Sequence, residues 1–521
     1  MQFASVSFVL FAALLLVVYY IIPKKTQWIL LLAASYFFYL WAGTSYLGFI
    51  LFTTVSTFFS AGLMNRNLIS QEKYLKENKE NLSREQKKEY KAKIKSKNRI
   101  WLGLCLILNF AILFVCKGCL AEPFRTLASG GRLSFLTLAL PLGISFYMFQ
   151  SLGYLIDVYR GSVKIEKNFL KFSLFVSFFP QLVQGPISKF SSLAPQLYAP
   201  HAFCAKEVFF GLERILWGFF KKLVIADRIA AAVVELKGDE YSGISFLVLT
   251  IFYAIQIYGD FTGGIDITIG LAQTLGIKLT ENFIRPYFSK NIAEYWRRWH
   301  ITLSVWMKDY IFYPLSVSQP MLKLSKSARQ RFGNFGKRLP VYVASIITWF
   351  CTGIWHGITP NFVLWGMLNC FFIVLSEELV PLYDKFHNRF HLKDKKWYGG
   401  FEMLRMFMLM NLIRITDLFP DVSVYFSKMG TLFTEFNFNI LWDGTLLNIG
   451  LTVVDYLVLL FGIVIMFFVS LCQEKRGSVR EILWNHTAVN YILLFVLLLI
   501  VLLMGSYGIG YNASNFIYNQ F

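Results

Sequence analysis

Charge is what this sequence has least of. Asp, Glu, Lys and Arg make up 16% of its 521 residues, where an ordinary soluble domain carries about a quarter. That scarcity excludes a soluble globule. Cysteine offers no scaffold: the seven (105, 116, 119, 204, 351, 370 and 472) are odd in number and lie mostly within apolar runs. Cys116 and Cys119 have C-x-x-C spacing, but no second pair follows, which argues against a disulfide framework or a zinc site and leaves buried free thiols. Histidine is scarce too, and His201, His387, His391 and His486 fall in expected loops, so no metal site is expected. The first apolar run lacks a basic leader and a small-residue cleavage site, and reads as a retained span. No repeat relates the two halves, which counts against a secondary transporter, and no separate soluble domain or low-complexity tail is visible.

What is present is hydrocarbon-loving. Hydrophobic residues reach 56%, with 53 Phe, and the apolar runs are long enough for helices that cross a bilayer. Runs at 5–23, 27–41, 45–64, 99–117, 135–158, 208–235, 243–270, 341–356, 361–380, 404–418, 446–470 and 489–507 predict an all-α polytopic membrane protein with about 11–12 spans. Residues 172–187 are apolar but interrupted by Pro180 and Gly185-Pro186, so a re-entrant element is expected there. The chain reads as one membrane domain over 1–521, with a basic helical loop at 65–98, a core segment at 281–369 and C-terminal helices over 404–521.

The net charge of +20 raises the question of nucleic acid. Its distribution answers it. Residues 65–99 hold twelve Lys/Arg against five Glu, and with both termini outside, every loop that falls inside carries Lys or Arg. The outer loops carry only Arg125, Arg132, Lys237 and Lys428. That asymmetry is the positive-inside pattern, so the charge reports topology and no nucleic-acid partner is expected. Residues 419–445 space Phe, Leu and Trp as an interfacial helix or a docking surface would.

Two Trp-His pairs stand out, Trp299-His300 and Trp355-His356. The second lies deep in an apolar run, where a polar group is costly unless a partner or cavity receives it, which makes His356 a functional candidate. Gly353 and Gly357 flank it, and Pro360 stops the helix, predicting a half-helix that presents an imidazole to a cavity. The plainer alternative is a structural histidine bonded to a neighbouring carbonyl. Residues 291–310 read as one amphipathic interfacial helix, with Tyr295, Trp296, Trp299, Leu303 and Trp306 at helical spacing. His300, 56 residues from His356, is too distant in sequence for a local metal pair. The stretch at 260–266, DFTGGID, places Asp260 and Asp266 in another span, where carboxylates face a polar interior. Asp157 and Asp455 are further candidates of the same kind.

The segments at 281–315 (ENFIRPYFSKNIAEYWRRWHITLSVWMKDYIFYPL), 355–357 (WHG), 179–187 (FPQLVQGPI), 145–161 (SFYMFQSLGYLIDVYRG) and 516–521 (FIYNQF) resemble the membrane-bound O-acyltransferase family. Within it they are most similar to the alginate O-acetyltransferase branch, departing at Gly264 and Asn519, where aromatic residues are usual. The resemblance implies a central tunnel with His356 catalytic and His300 supporting it near a cytoplasmic entrance. It implies acetyl-coenzyme A as donor substrate with no bound cofactor. Arg285, Lys290, Arg297, Arg298 and Trp299 would meet the donor, and Asp260, Asp266 and Trp355 would line the tunnel. It also implies an acceptor outside the cell: a polysaccharide, or a partner such as an exported SGNH-type acetyltransferase or a polysaccharide assembly complex. The bacterial inner membrane and its lipids would surround the chain. D-alanyl transfer to teichoic acid from a carrier-protein thioester is the neighbouring alternative. A proton-coupled transporter using His356 and the intramembrane aspartates is the alternative from another class.

Overall fold

An apolar run in lipid satisfies its backbone at least cost as an α-helix, and among the described residues no β-strand forms. The structure, a computed structural model, describes residues 3–118, 141–393, 395–484 and 486–507. The closing motif at 516–521, Cys119 and the first part of the expected 135–158 span lie outside these residues. Among the described residues six helices are long and apolar enough to cross a membrane: Thr44–Glu77, Arg84–Lys117, Ile244–Thr274, Gln319–His356, Pro360–Phe390 and Val453–Arg476.

The chain divides into two compact units. The first comprises Met1–Val208 with Leu271–Thr280. Its expected basic loop is no separate element, because two membrane-length helices, Leu47–Glu77 and Arg84–Gly118, simply run on into it. Their charged ends meet at a capping box, in which Ser83 Oγ accepts from the Gln86 amide at 3.1 Å and Gln86 Oε1 accepts from the Ser83 amide at 2.9 Å. The helix Ile144–Arg160 is buried over most of its length. The expected re-entrant element is two short buried helices, Phe169–Ser177 and Phe179–Leu182, broken at Phe178 just before Pro180. Gln181 holds the break in place: it donates to Gln150 Oε1 at 3.1 Å and accepts from Ser188 at 3.0 Å.

The second unit comprises Phe209–Gly270 with Glu281–Phe521. Here the expected span at 208–235 is not one helix. Ala205–Phe219 gives way to a π-helical turn at Phe220–Ala226 and then to Asp227–Leu236. The wide turn carries two adjacent buried lysines that need partners in a medium that solvates them poorly. Lys222 finds Asp260 at 2.5 Å and Asp227 at 2.7 Å, and Lys221 finds Asp266 at 2.6 Å. Arg214 joins Asp266 at 2.8 Å and Glu281 at 2.6 Å. The run Gln319–His356 is also interrupted: Gly333, at φ 56 and ψ −129, separates a charged limb from the apolar limb that ends at His356. Of the described cysteines, Cys105 and Cys370 are buried as expected, whereas Cys204 and Cys472 are exposed.

Candidate functional site

His356 is the last residue of its helix, and Pro360 opens the next after three linking residues. The two helices touch backbone to backbone. A Cβ on Gly353 would lie 2.5 Å from the Phe362 carbonyl oxygen, and one on Gly366 would lie 2.4 Å from that of Trp349. Only glycine permits such an approach. The crossing seats the half-buried His356 ring among aromatic rings, with centroids 4.8 Å from Trp355, 4.8 Å from Trp365 and 6.4 Å from Phe362.

The two Trp-His pairs come together: the His300 ring lies 6.1 Å from that of Trp355, edge to face. The expected amphipathic helix over 291–310 is, however, two short helices, Ile292–Arg298 and Ile301–Met307. Trp299 and His300 form the break, and His300 adopts φ 46 and ψ 51, the left-handed region that costs an L-residue roughly 1–2 kcal/mol. Tertiary bonds impose it. Asn282 supplies its carbonyl to the Ile301 amide at 3.0 Å, and its Oδ1 accepts from the Thr302 amide at 3.1 Å and the Thr302 hydroxyl at 2.9 Å. The same Oδ1 lies 3.4 Å from His300 Nδ1. Asn282 and Thr302 therefore hold His300, and neither carries a sequence signal that would single it out.

Burial, followed by the nearby Arg414 guanidinium, presses the His300 pKa down to about 3, so the imidazole is neutral at physiological pH. An unfolded histidine titrates near about 6.5. As pH falls from about 6.5 towards 3 the unfolded chain takes up a proton that the folded chain refuses, so this stability is full above about 6.5 and is lost on acidification. The melting temperature of the detergent-purified protein should fall from pH 7.5 to pH 4.5, and His300→Gln should fall less over the same interval. Equal slopes would show that His300 does not titrate in this way.

The expected donor-binding cations separate into two kinds. Lys290 and Arg297 are exposed. Arg285 and Arg298 instead converge on Glu474 of the helix Val453–Arg476, at 2.5 Å and 3.0 Å. Trp299 is buried in a stack, its ring parallel to Tyr295 with centroids 5.7 Å apart and Arg414 over its face at 4.2 Å. It braces the break and is not on the surface. Asp260 and Asp266, expected along the tunnel, sit in the lysine pairs described above, and a cavity beside the helix that ends at His356 is lined by other residues.

That cavity has a volume of about 520 Å³. Lys308, Arg338, Glu377 and Glu378 stand along one part of it, with Trp296, Trp349 and Thr352 along another. Arg338, Val341, Tyr342, Ser345, Thr348, Trp349 and Thr352 line it from the helix of His356. These positions recur every three or four residues, so they form one helical face, and His356 is the next residue on that face, one turn beyond Thr352. Among the described residues no group of three His, Cys, Asp or Glu side chains could hold a metal ion.

Residues 166–416 match the model of the membrane-bound O-acyltransferase family, MBOAT. The chain carries that family's domain over these residues, just under half of its length, and is an all-α polytopic membrane protein. It is 35% identical to the probable alginate O-acetylase AlgI of Pseudomonas syringae pv. tomato, over 46% of this chain and 43% of that protein. It is 33% identical to the peptidoglycan O-acetyltransferase of Helicobacter pylori, over 56% of this chain and 57% of that protein. It is 27% identical to the teichoic acid D-alanyltransferase of Bacillus subtilis, over 44% and 56% respectively. The chain spans about half the length of the curated relatives it matches.

Proposed function

We propose that this chain is an O-acetyltransferase that moves an acetyl group from acetyl-coenzyme A at the cytoplasmic face of the bacterial inner membrane to an extracytoplasmic polysaccharide or to a partner exported acetyltransferase. Both termini would lie on the extracytoplasmic side, as the loop charges suggest. The observation that carries the proposal is the helical face that lines the cavity from Arg338 to Thr352, with His356 ending the same helix one turn further on. Charged groups beside an apolar interior suit a donor with a phosphorylated head and a long thin arm, since Lys308 can meet phosphate oxygens, as can Arg338 once it releases Glu378, now 2.8 Å away. Lys290 and Arg297 supply further exposed positive charge. Arg285 and Arg298 already hold a carboxylate and would have to release it first.

At His356 a neutral imidazole nitrogen can take the proton of the acceptor hydroxyl as its oxygen attacks the thioester carbonyl; the C–S bond breaks and the proton passes to the departing thiolate. The same nitrogen can instead attack the thioester carbonyl, breaking the C–S bond and releasing the thiolate; the acceptor oxygen then attacks the acyl-imidazole, the C–N bond breaks, and the hydroxyl proton ends on the thiol. Names of relatives favour acetyl over D-alanyl, with the O-acetyltransferases at 33–35% identity and a teichoic acid D-alanyltransferase at 27%. The test is labelled transfer in intact cells. Label from acetate should appear on the envelope only when this gene is present, and label from D-alanine should not depend on it. Wall D-alanine that disappears on deletion would reverse the assignment.

A further inference from the structure

Between the cavity and His356 stands a wall of three indoles. The Trp296 ring lies 4.8 Å from Trp349 and 5.7 Å from Trp365, and Trp349 lies 6.0 Å from Trp365. The interplanar angles are 64°, 83° and 65°, so each ring blocks the sliding of the next. Trp296 and Trp349 line the cavity, and Trp365 touches His356. The two threonines that complete this wall have spent their hydroxyls on carbonyls one turn back, Thr348 on Ala344 and Thr352 on Thr348, each at 2.7 Å. They leave apolar surface towards the cavity. The wall cannot recede along its own helix, because Gly353 and Gly366 lock the crossing immediately behind it.

We propose that this indole wall fixes the size of the acyl group that reaches His356, and that Trp349 is the residue that decides it, admitting a two-carbon acyl group and turning away a four-carbon one. The inference rests on the acyl-transfer reading above. With the thioester carbonyl at His356, a tail that extends towards Trp365, 4.8 Å from the imidazole, meets Trp349 6.0 Å behind it, so every added methylene must displace indole carbon from that packing. One methylene misfitted in an apolar pocket changes turnover by about 10–200-fold. Trp349 is the informative position because it lines the cavity without stacking on His356, so its removal enlarges the space and leaves the imidazole held by Trp355 and Trp365.

The experiment uses the full-length protein in proteoliposomes with equal concentrations of acetyl-, propionyl- and butyryl-coenzyme A, reading consumption of each thioester. The wild type should consume the acetyl thioester and nearly exclude the butyryl one. Trp349→Ala should raise the butyryl-to-acetyl ratio by about tenfold or more, and Trp349→Phe should raise it less, in the same direction. A ratio that stays within about twofold of wild type in both variants, with acetyl turnover retained, overturns the inference and leaves acyl transfer standing. So does a wild type that consumes butyryl and acetyl thioesters alike, or loss of all turnover in both variants, since a wall that only sizes the tail tolerates phenylalanine. A wild type that consumes no acyl thioester defeats the transfer reading itself, and the inference with it.

Discussion

His356→Ala should lower thioester-dependent acyl transfer by about 10²–10⁴-fold, the contribution expected of a positioned proton-transfer group, while the protein remains folded. The imidazole is half-buried at a helix end, and the helix crossing beneath it is made by Gly353 and Gly366 and not by its side chain. On the acyl-transfer reading, truncation removes the basic nitrogen and leaves that crossing in place. His356→Gln is the sharper variant, since it retains hydrogen-bonding capacity and loses the basic nitrogen. Both should be inactive in a proteoliposome assay of acetyl-coenzyme A consumption, with melting temperatures close to wild type. Transfer persisting in a folded His356→Gln protein would remove this residue from the mechanism.

The second large effect concerns stability. Lys222 and Asp260 are among the most deeply buried charges in the chain, their side chains 0% and 2% exposed. Breaking such a pair by removing one partner costs about 3–5 kcal/mol, because the other charge is left uncompensated. Lys222→Met should therefore lower the melting temperature sharply and reduce membrane yield. Adding Asp260→Asn should recover most of the loss, since the more deeply buried of the two carboxylates paired with Lys222 then carries no charge. A double variant as unstable as the single would mean that the pair's geometry, and not its charge balance, holds the π-helical turn.

His356 could be found in the sequence because its signal is local: an imidazole in an apolar run, with glycines and a proline that end the helix beneath it. His300 could be found as a residue but not in its setting. The spacing of Tyr295, Trp299 and Leu303 reads as one helix, and nothing within 291–310 announces the break, which is imposed by Asn282 from outside the segment. The aspartates of 260–266 were visible as costly groups. Their partners, Lys221 and Lys222, lie 38–45 residues away on an element that pattern alone reads as an unbroken span. Glu474 is further still, and no periodicity could have shown that it occupies Arg285 and Arg298. The cavity wall was equally hidden, because Trp296, Trp349 and Trp365 fall in three separate expected elements and only the folded chain brings their edges together.

Where two helices meet through bare backbone, as at Gly353 and Gly366, there is no side chain between them to be compressed or exchanged. Such a joint has no soft settings. Drift in the surrounding sequence cannot tilt it by degrees, and a single added methyl forces the pair apart outright. The position of the histidine three residues along is thus inherited as a fixed quantity, and changes in what the site accepts must come from the rings around it.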